Sequence, residues 1–81
     1  MPPTKLRTPS QALICILAEN IRRLRCEQRL SQGKLADNCG LHRTYVGSVE
    51  RGERNVTLSS LELFAKALNV SVIDLLAPKD K

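Results

Sequence analysis

Two short stretches with apolar residues at helical spacing meet at Gly40, and this juxtaposition constrains the fold more than any other feature of the chain. Before it, Ser31 is a ready N-cap, and Gln32 to Cys39 carries Leu35, Ala36 and Cys39 on one side. After it, Leu41 leads into Arg43 to Arg51, with Val46 and Val49 on the inner side and Gly52 as terminator. Two such helices cross steeply, so a small side chain is needed where they approach, and Ala36 supplies it. The chain must also reverse within a few residues, which glycine permits because it has no Cβ. Leu35, Cys39, Leu41, Val46 and Val49 keep the inward positions apolar. The spacing predicts a pair of helices joined by a tight turn.

The flanking segments read as helices too. Thr8-Pro9-Ser10-Gln11 looks like a helix start, with Thr8 as N-cap, Pro9 in the first turn and Gln11 completing a capping box. Leu13, Leu17, Ile21 and Leu24 then form one stripe of a helix running to about Arg29. Ile14, Cys15 and Ile16 make its first half apolar on most sides, which suits either a second protein surface or packing beneath the last helix. Glu53 to Val56 is a polar loop. Thr57 begins a fourth helix with Leu58, Leu61, Phe64, Ala65 and Leu68 towards the core, and Ser71-x-x-Asp74 is a capping box for a short fifth helix, Val72 to Leu76, ended by Pro78. No segment alternates like a strand. The prediction is an all-α fold of five short helices: an arm over residues 1–8, one domain over 9–77 and a tail over 78–81.

Composition excludes several function classes. A chain of 81 residues is too short for an α/β barrel or a two-domain enzyme. Its longest apolar run, Ala12 to Ala18, has seven residues, whereas a spanning helix needs about 20. Glu19, Asn20 and Arg22 stand where a signal-peptide cleavage site belongs, so the chain reads as cytoplasmic with no membrane partner. The three cysteines, Cys15, Cys26 and Cys39, have no metal-knuckle spacing, and His42 is the sole histidine. They read as reduced thiols used as small core hydrophobes, with no metal and no cofactor. With one histidine, scattered carboxylates and no phosphate loop, the chain is expected to be no enzyme and to have no small-molecule substrate. The net charge of +5 is unevenly placed: residues 20–55 hold eight basic side chains against four acidic ones, and residues 56–81 are neutral. A basic middle suggests one segment facing a polyanion and another facing protein.

From Leu17 to Leu76 the chain resembles the lambda repressor and Cro type of helix-turn-helix regulators, the xenobiotic-response-element-like family of bacteria. The matching residues are Ile21-x-x-Leu24-Arg25, Leu30-Ser31-Gln32-x-x-Leu35-Ala36-x-x-x-Gly40-Leu41, Val46-x-x-Val49-Glu50-x-Gly52, Leu61-x-x-Phe64-Ala65-x-Ala67-Leu68 and Val70. Within that family, Arg43-Thr44-Tyr45 and Val49-Glu50-Arg51-Gly52-x-Arg54-Asn55-x-Thr57 are similar to controller proteins of restriction–modification systems.

The resemblance implies a sequence-specific DNA-binding regulator whose third helix enters the major groove. Arg43 and Thr44 are the leading base readers: arginine can pair bidentately with guanine, and threonine can bond a base edge or pack on a thymine methyl. Ser48 lies on the same outward face, where Gly47 permits close approach. Tyr45 serves a base, a phosphate or the edge of the core. The second helix would cross the backbone and point free N–H groups at a phosphate, with Gln32 there as a phosphate contact or as plain capping. His42 starts the third helix near a phosphate, although it departs from the small capping residue common in the family. Arg51, Arg54, Asn55 and Ser60 would hold phosphates beside the groove, setting register without reading sequence. An acid beside DNA is unfavourable, and the family turns the glutamate at the place of Glu50 inward to pair with the arginine at Arg25.

One recognition helix spans few base pairs, whereas two related by a two-fold axis read a palindrome. Leu63 lies off the core stripe of the fourth helix, and Val72 and Ile73 cannot both point inward on the fifth. These three are the candidate homodimer interface, against ordinary core packing. The expected function is a dimeric regulator on a palindromic double-stranded operator. One alternative is an antitoxin-like protein that binds a partner toxin and autoregulates its operon, which an acidic or disordered tail would favour. A protein-interaction module is the other; it calls for an acidic third-helix face, and Arg43 and Arg51 argue against it.

Overall fold

Hydroxyl side chains open four of the five helices in the computed structural model, which describes residues 9–79. The helices are α1 (Gln11–Glu27), α2 (Gln32–Cys39), α3 (Arg43–Glu50), α4 (Leu58–Leu68) and α5 (Val72–Leu76), with no strand among the described residues. Ser10, Ser31, Thr57 and Ser71 accept from the backbone N–H three residues on, at 3.2, 3.0, 3.1 and 3.0 Å. Each such bond satisfies a donor that the first turn cannot pair internally. Asp74 completes a capping box by accepting from Ser71 N–H at 3.1 Å.

Several boundaries differ from the sequence expectation. Thr8 and the rest of the expected arm lie outside the described residues, as do residues 80 and 81 of the tail. Ser10, a better cap than threonine, caps α1, so Pro9 precedes the helix, and the Gln11 amide donates to Cys15 Sγ at 3.6 Å. α1 stops at Glu27 and not near Arg29, because Arg29 turns left-handed (φ 59°) to bring Leu30 back against the core. α3 stops at Glu50, and Arg51 is its C-cap. Between α2 and α3, Gly40 adopts φ 68°, and Leu41 N–H reaches the Ala36 carbonyl at 2.9 Å. This left-handed ending closes the turn.

α2 packs chiefly on α3, α1 packs on α5 and α3, and α4 packs on α2 and α5. Phe64, Ile21, Leu35, Leu68, Leu75 and Val46 are the largest fully buried side chains, and Ala36 and Val49 lie among them. Leu58, expected towards the core, is 77% exposed, and Leu13, the first residue of the α1 stripe, is 40% exposed. Each belongs to the first turn of its helix and projects past the neighbouring elements; burial begins one turn later, at Leu17 and Leu61. Ile14 and Ile16 are half-buried. Of the cysteines only Cys39 is a core residue, while Cys15 and Cys26 are exposed. Asn20, buried on α1, donates its amide to the carbonyls of Leu75 (2.9 Å) and Ala77 (2.7 Å). It thereby fastens the end of α5, whose last carbonyls have no partner within so short a helix.

Candidate nucleic-acid interface

The base of the α2–α3 face is a buried ion pair. Arg25, on α1, donates through Nε to Glu50 Oε2 at 2.6 Å and through Nη2 to Oε1 at 3.0 Å. A third bond runs from Nη1 to the Leu30 carbonyl at 2.8 Å. The side chains are 14% and 4% exposed, respectively. The planar guanidinium matches the carboxylate edge, a geometry open to arginine but closed to lysine. The hydrogen bond from Arg25 to Glu50 holds the Arg25 pKa above its ordinary value, against the opposing effect of burial. Glu50 also accepts from Gln32 Nε2 at 3.1 Å. Three elements thus converge on one carboxylate, which locks α3 against α1 and α2.

Above this base, the N-terminal half of α3 presents Arg43 and Thr44 to solvent, and Tyr45 is half-buried against the core. The C-terminal half is covered. Ser48, expected to face outward, is buried: its hydroxyl donates to the Tyr45 carbonyl at 2.7 Å and accepts from Arg54 Nε at 2.9 Å. The Arg54 guanidinium lies 5.5 Å from the centre of the Tyr45 ring, within cation–π range. Ser48 is therefore a hook for the α3–α4 loop, and its hydroxyl does not face outward. Gly47 is buried as well; a Cβ there would stand 3.2 Å from Arg51 Nη1 and 3.5 Å from Gln32 Oε1. Those two side chains fold over the notch that glycine leaves.

The remaining candidates ring this face. His42 is the N-cap of α3 but makes no side-chain cap bond, so the first-turn N–H groups of α3 have no side-chain acceptor there. Arg51 and Glu53 pair at 3.0 Å in solvent, and the arginine holds the Glu53 carboxyl below its ordinary range. Asn55 is exposed, and Ser60 is half-buried, its hydroxyl accepting from Thr57 Oγ1 at 3.1 Å within the α4 cap. Away from this face, Leu63 is 39% and Ile73 78% exposed. Val72 is half-buried and packs on the core. No cluster of metal-ligating side chains occurs among the described residues, and no helix there is long and apolar enough to cross a membrane.

The family profile described as helix-turn-helix (HTH_3) matches residues 21–75, from α1 through α5. The chain belongs to that family. Its members are DNA-binding transcriptional regulators, not enzymes. The control protein C.SmaI of Serratia marcescens is 66% identical over 61 residues, 75% of this chain and 73% of that protein. The crystal structure of the restriction–modification controller protein C.AhdI from Aeromonas hydrophila superposes with a TM-score of 0.76 at 42% identity, covering 79% of this chain and 97% of that one. The hypothetical transcription factor NHTF from Neisseria superposes with a TM-score of 0.80 at 43% identity, covering 91% and 86%. In this helix-turn-helix regulator, α2 and α3 are the motif itself. The Ser48 hook and the Asn20 clasp have no signature in the sequence. Their partners lie across a loop or on another helix, and no helical periodicity reports such contacts.

Proposed function

We propose that the chain is a homodimeric transcriptional regulator of the restriction–modification controller type, acting in the cytoplasm on a palindromic operator. The observation that carries this reading is the exposed Arg43–Thr44 pair on an α3 whose base is locked by Arg25 and Glu50. A rigid helix with free polar side chains at its N-terminal end suits insertion into a major groove. Residues 9–77 make up the binding unit. Arg43 and Thr44 read base edges, and Tyr45 reaches the groove rim from its half-buried site. Gln32, His42, Arg51, Arg54, Asn55 and Ser60 flank the groove and hold phosphates. Leu63 and Ile73, with the edge of Val72, join two copies so that their recognition helices lie about 34 Å apart. The similarity to C.SmaI and C.AhdI supports the controller assignment.

The test is selection of bound sites from random duplex DNA at stated salt, followed by titration of Arg43→Ala. The recovered sites should share an inverted repeat. Arg43→Ala should lose about 1–3 kcal/mol on the selected site and relax one position per half-site. An equal loss on unrelated DNA would remove Arg43 as a reader, and recovery of sites without symmetry would remove the palindrome.

A further inference from the structure

The solvent side of α1 carries an ordered set of side chains. Cys15, Glu19, Arg22 and Cys26 are all exposed and lie on one unbroken helix, Gln11–Glu27. At about 100° per residue, the four fall within an arc of roughly 60°. Glu19 and Arg22 form no ion pair with any described residue, whereas Arg23 and Arg25 pair with Glu27 and Glu50. Cys15 and Cys26 stand about 16 Å apart along the helix axis. A disulfide needs Cα atoms within about 7 Å, so the two thiols of one chain cannot meet.

The strip is its own complement when a second α1 runs antiparallel to it. A two-fold axis level with the midpoint between Asn20 and Ile21 places Glu19 beside Arg22 of the second copy and Arg22 beside its Glu19. The same operation sets Cys15 opposite Cys26 of the second copy, and Cys26 opposite its Cys15. A parallel pairing would instead set each charge against its own kind. Helix axes about 8–10 Å apart, with Cα atoms about 2.3 Å from each axis, leave about 5 Å between facing Cα atoms. That distance lies inside the disulfide range.

We propose that this strip is a second self-association face, occupied by another copy of the chain in antiparallel register and closed on oxidation by two Cys15–Cys26 disulfides between the copies. It lies on α1, whereas the homodimer proposed above uses α4 and α5, and it is independent of the DNA reading. Four side chains per copy bury far less than the roughly 1,200 Å² of a stable interface. Exposed ion pairs add little, so the pairing is transient while the thiols are reduced. A low-molecular-weight disulfide such as oxidised glutathione makes it lasting. The Cys15 thiolate attacks one glutathione sulfur and expels a glutathione thiolate. The Cys26 thiolate of the second copy then attacks the Cys15 sulfur and expels the other glutathione. Two protein thiols are oxidised, one glutathione disulfide is reduced, and the two thiol protons pass to the expelled thiolates.

The experiment incubates the folded chain with oxidised glutathione and follows covalent dimer on non-reducing gels. Cys15→Ser and Cys26→Ser are tested singly and as an equimolar mixture. The unaltered chain should form a dimer whose bridges map to Cys15–Cys26 and which a reductant dissolves. Each single variant alone should form about tenfold less, because the remaining α1 thiols of its two copies lie about 16 Å apart in the pair. The mixture should recover the dimer. Glu19→Lys should slow dimer formation several-fold, and Glu19→Lys combined with Arg22→Glu should restore it, each rate normalised to the reaction of the same thiols with a small neutral maleimide. Single variants that crosslink as fast as the mixture, or bridges that map to Cys15–Cys15 or Cys26–Cys26, would overturn the antiparallel register. An unaltered chain that ends as the glutathione mixed disulfide without dimer would overturn the face itself. A normalised rate for Glu19→Lys equal to that of the unaltered chain would overturn the charge complementarity on which the face rests.

Discussion

At the scale of single residues, the Arg25–Glu50 pair carries the largest consequences. Its two groups are buried together and satisfied together, so deleting one leaves the other without a counter-charge. Glu50→Ala or Arg25→Ala should each lower stability by about 3 kcal/mol, the low end for a buried pair because Arg25 keeps some solvent contact. The double variant should lose much less than the sum, since neither charge is then stranded. Chemical denaturation of the three variants measures this, and additive losses would mean that the pair contributes nothing as a pair. The thiols give a second check. Cys15 and Cys26 are exposed and should react with a thiol reagent at once, while Cys39 reacts only as the protein opens. Burial raises the Cys39 pKa, so the folded state prefers the neutral thiol. Its contribution is complete below the unfolded thiol pKa, near 8.5, and is lost as pH rises towards the folded value. Stability should therefore fall with alkaline pH in this range, and Cys39→Ala should flatten that decline in thermal melts.

At the scale of elements, what was legible in the sequence is what local chemistry decides. Ser31, Thr57 and Ser71 mark helix starts because a short hydroxyl side chain answers the free N–H groups that follow it, and Gly40 marks a stop because it alone takes φ 68° freely. Periodicity identified the inner faces of α2, α3 and α4. It fails where an answer depends on what lies opposite. Leu13 and Leu58 keep the right phase but sit past the reach of their neighbours. Ser48 has the phase of an outward residue, yet a loop arginine six residues on covers it. This hook has a testable role. Ser48→Ala removes both hydrogen bonds of the hydroxyl, together worth roughly 1–2 kcal/mol, and alanine returns about half a kcal/mol through helix propensity. Stability should therefore fall by only about 1 kcal/mol. Arg54, no longer held at Nε, would be ordered only by the Tyr45 ring and should bind phosphate less well. We expect a few-fold loss of affinity on cognate and unrelated duplexes alike, with the protein still folded and its melting temperature lowered by only about 4–8 °C. A loss confined to the cognate site would instead make Ser48 part of base reading.

At the scale of the whole molecule, Leu63 and Ile73 are carried by α4 and α5, outside the α2–α3 motif, so they can be altered without touching Arg43 or Thr44. Ile73 is 78% exposed in the single chain, and its replacement by a charged residue removes almost no core contact. In the proposed dimer the same residue is buried against a second copy, where an unpaired charge is costly. Ile73→Asp should therefore leave the helical content and the melting of the dilute monomer as they are. It should also abolish the rise of melting temperature with protein concentration that coupled folding and association produce. The DNA consequence follows from linkage. Two joined recognition helices bind the second half-site at a high effective concentration, and separate chains do not. Ile73→Asp should thus bind a palindrome no better than two independent half-sites, while its affinity for one half-site stays that of the unaltered monomer. Sedimentation at micromolar concentration, paired with titration of full and half operators, distinguishes the outcomes. A variant that remains dimeric would move the interface off α5, towards the half-buried Ile14 and Ile16 on α1.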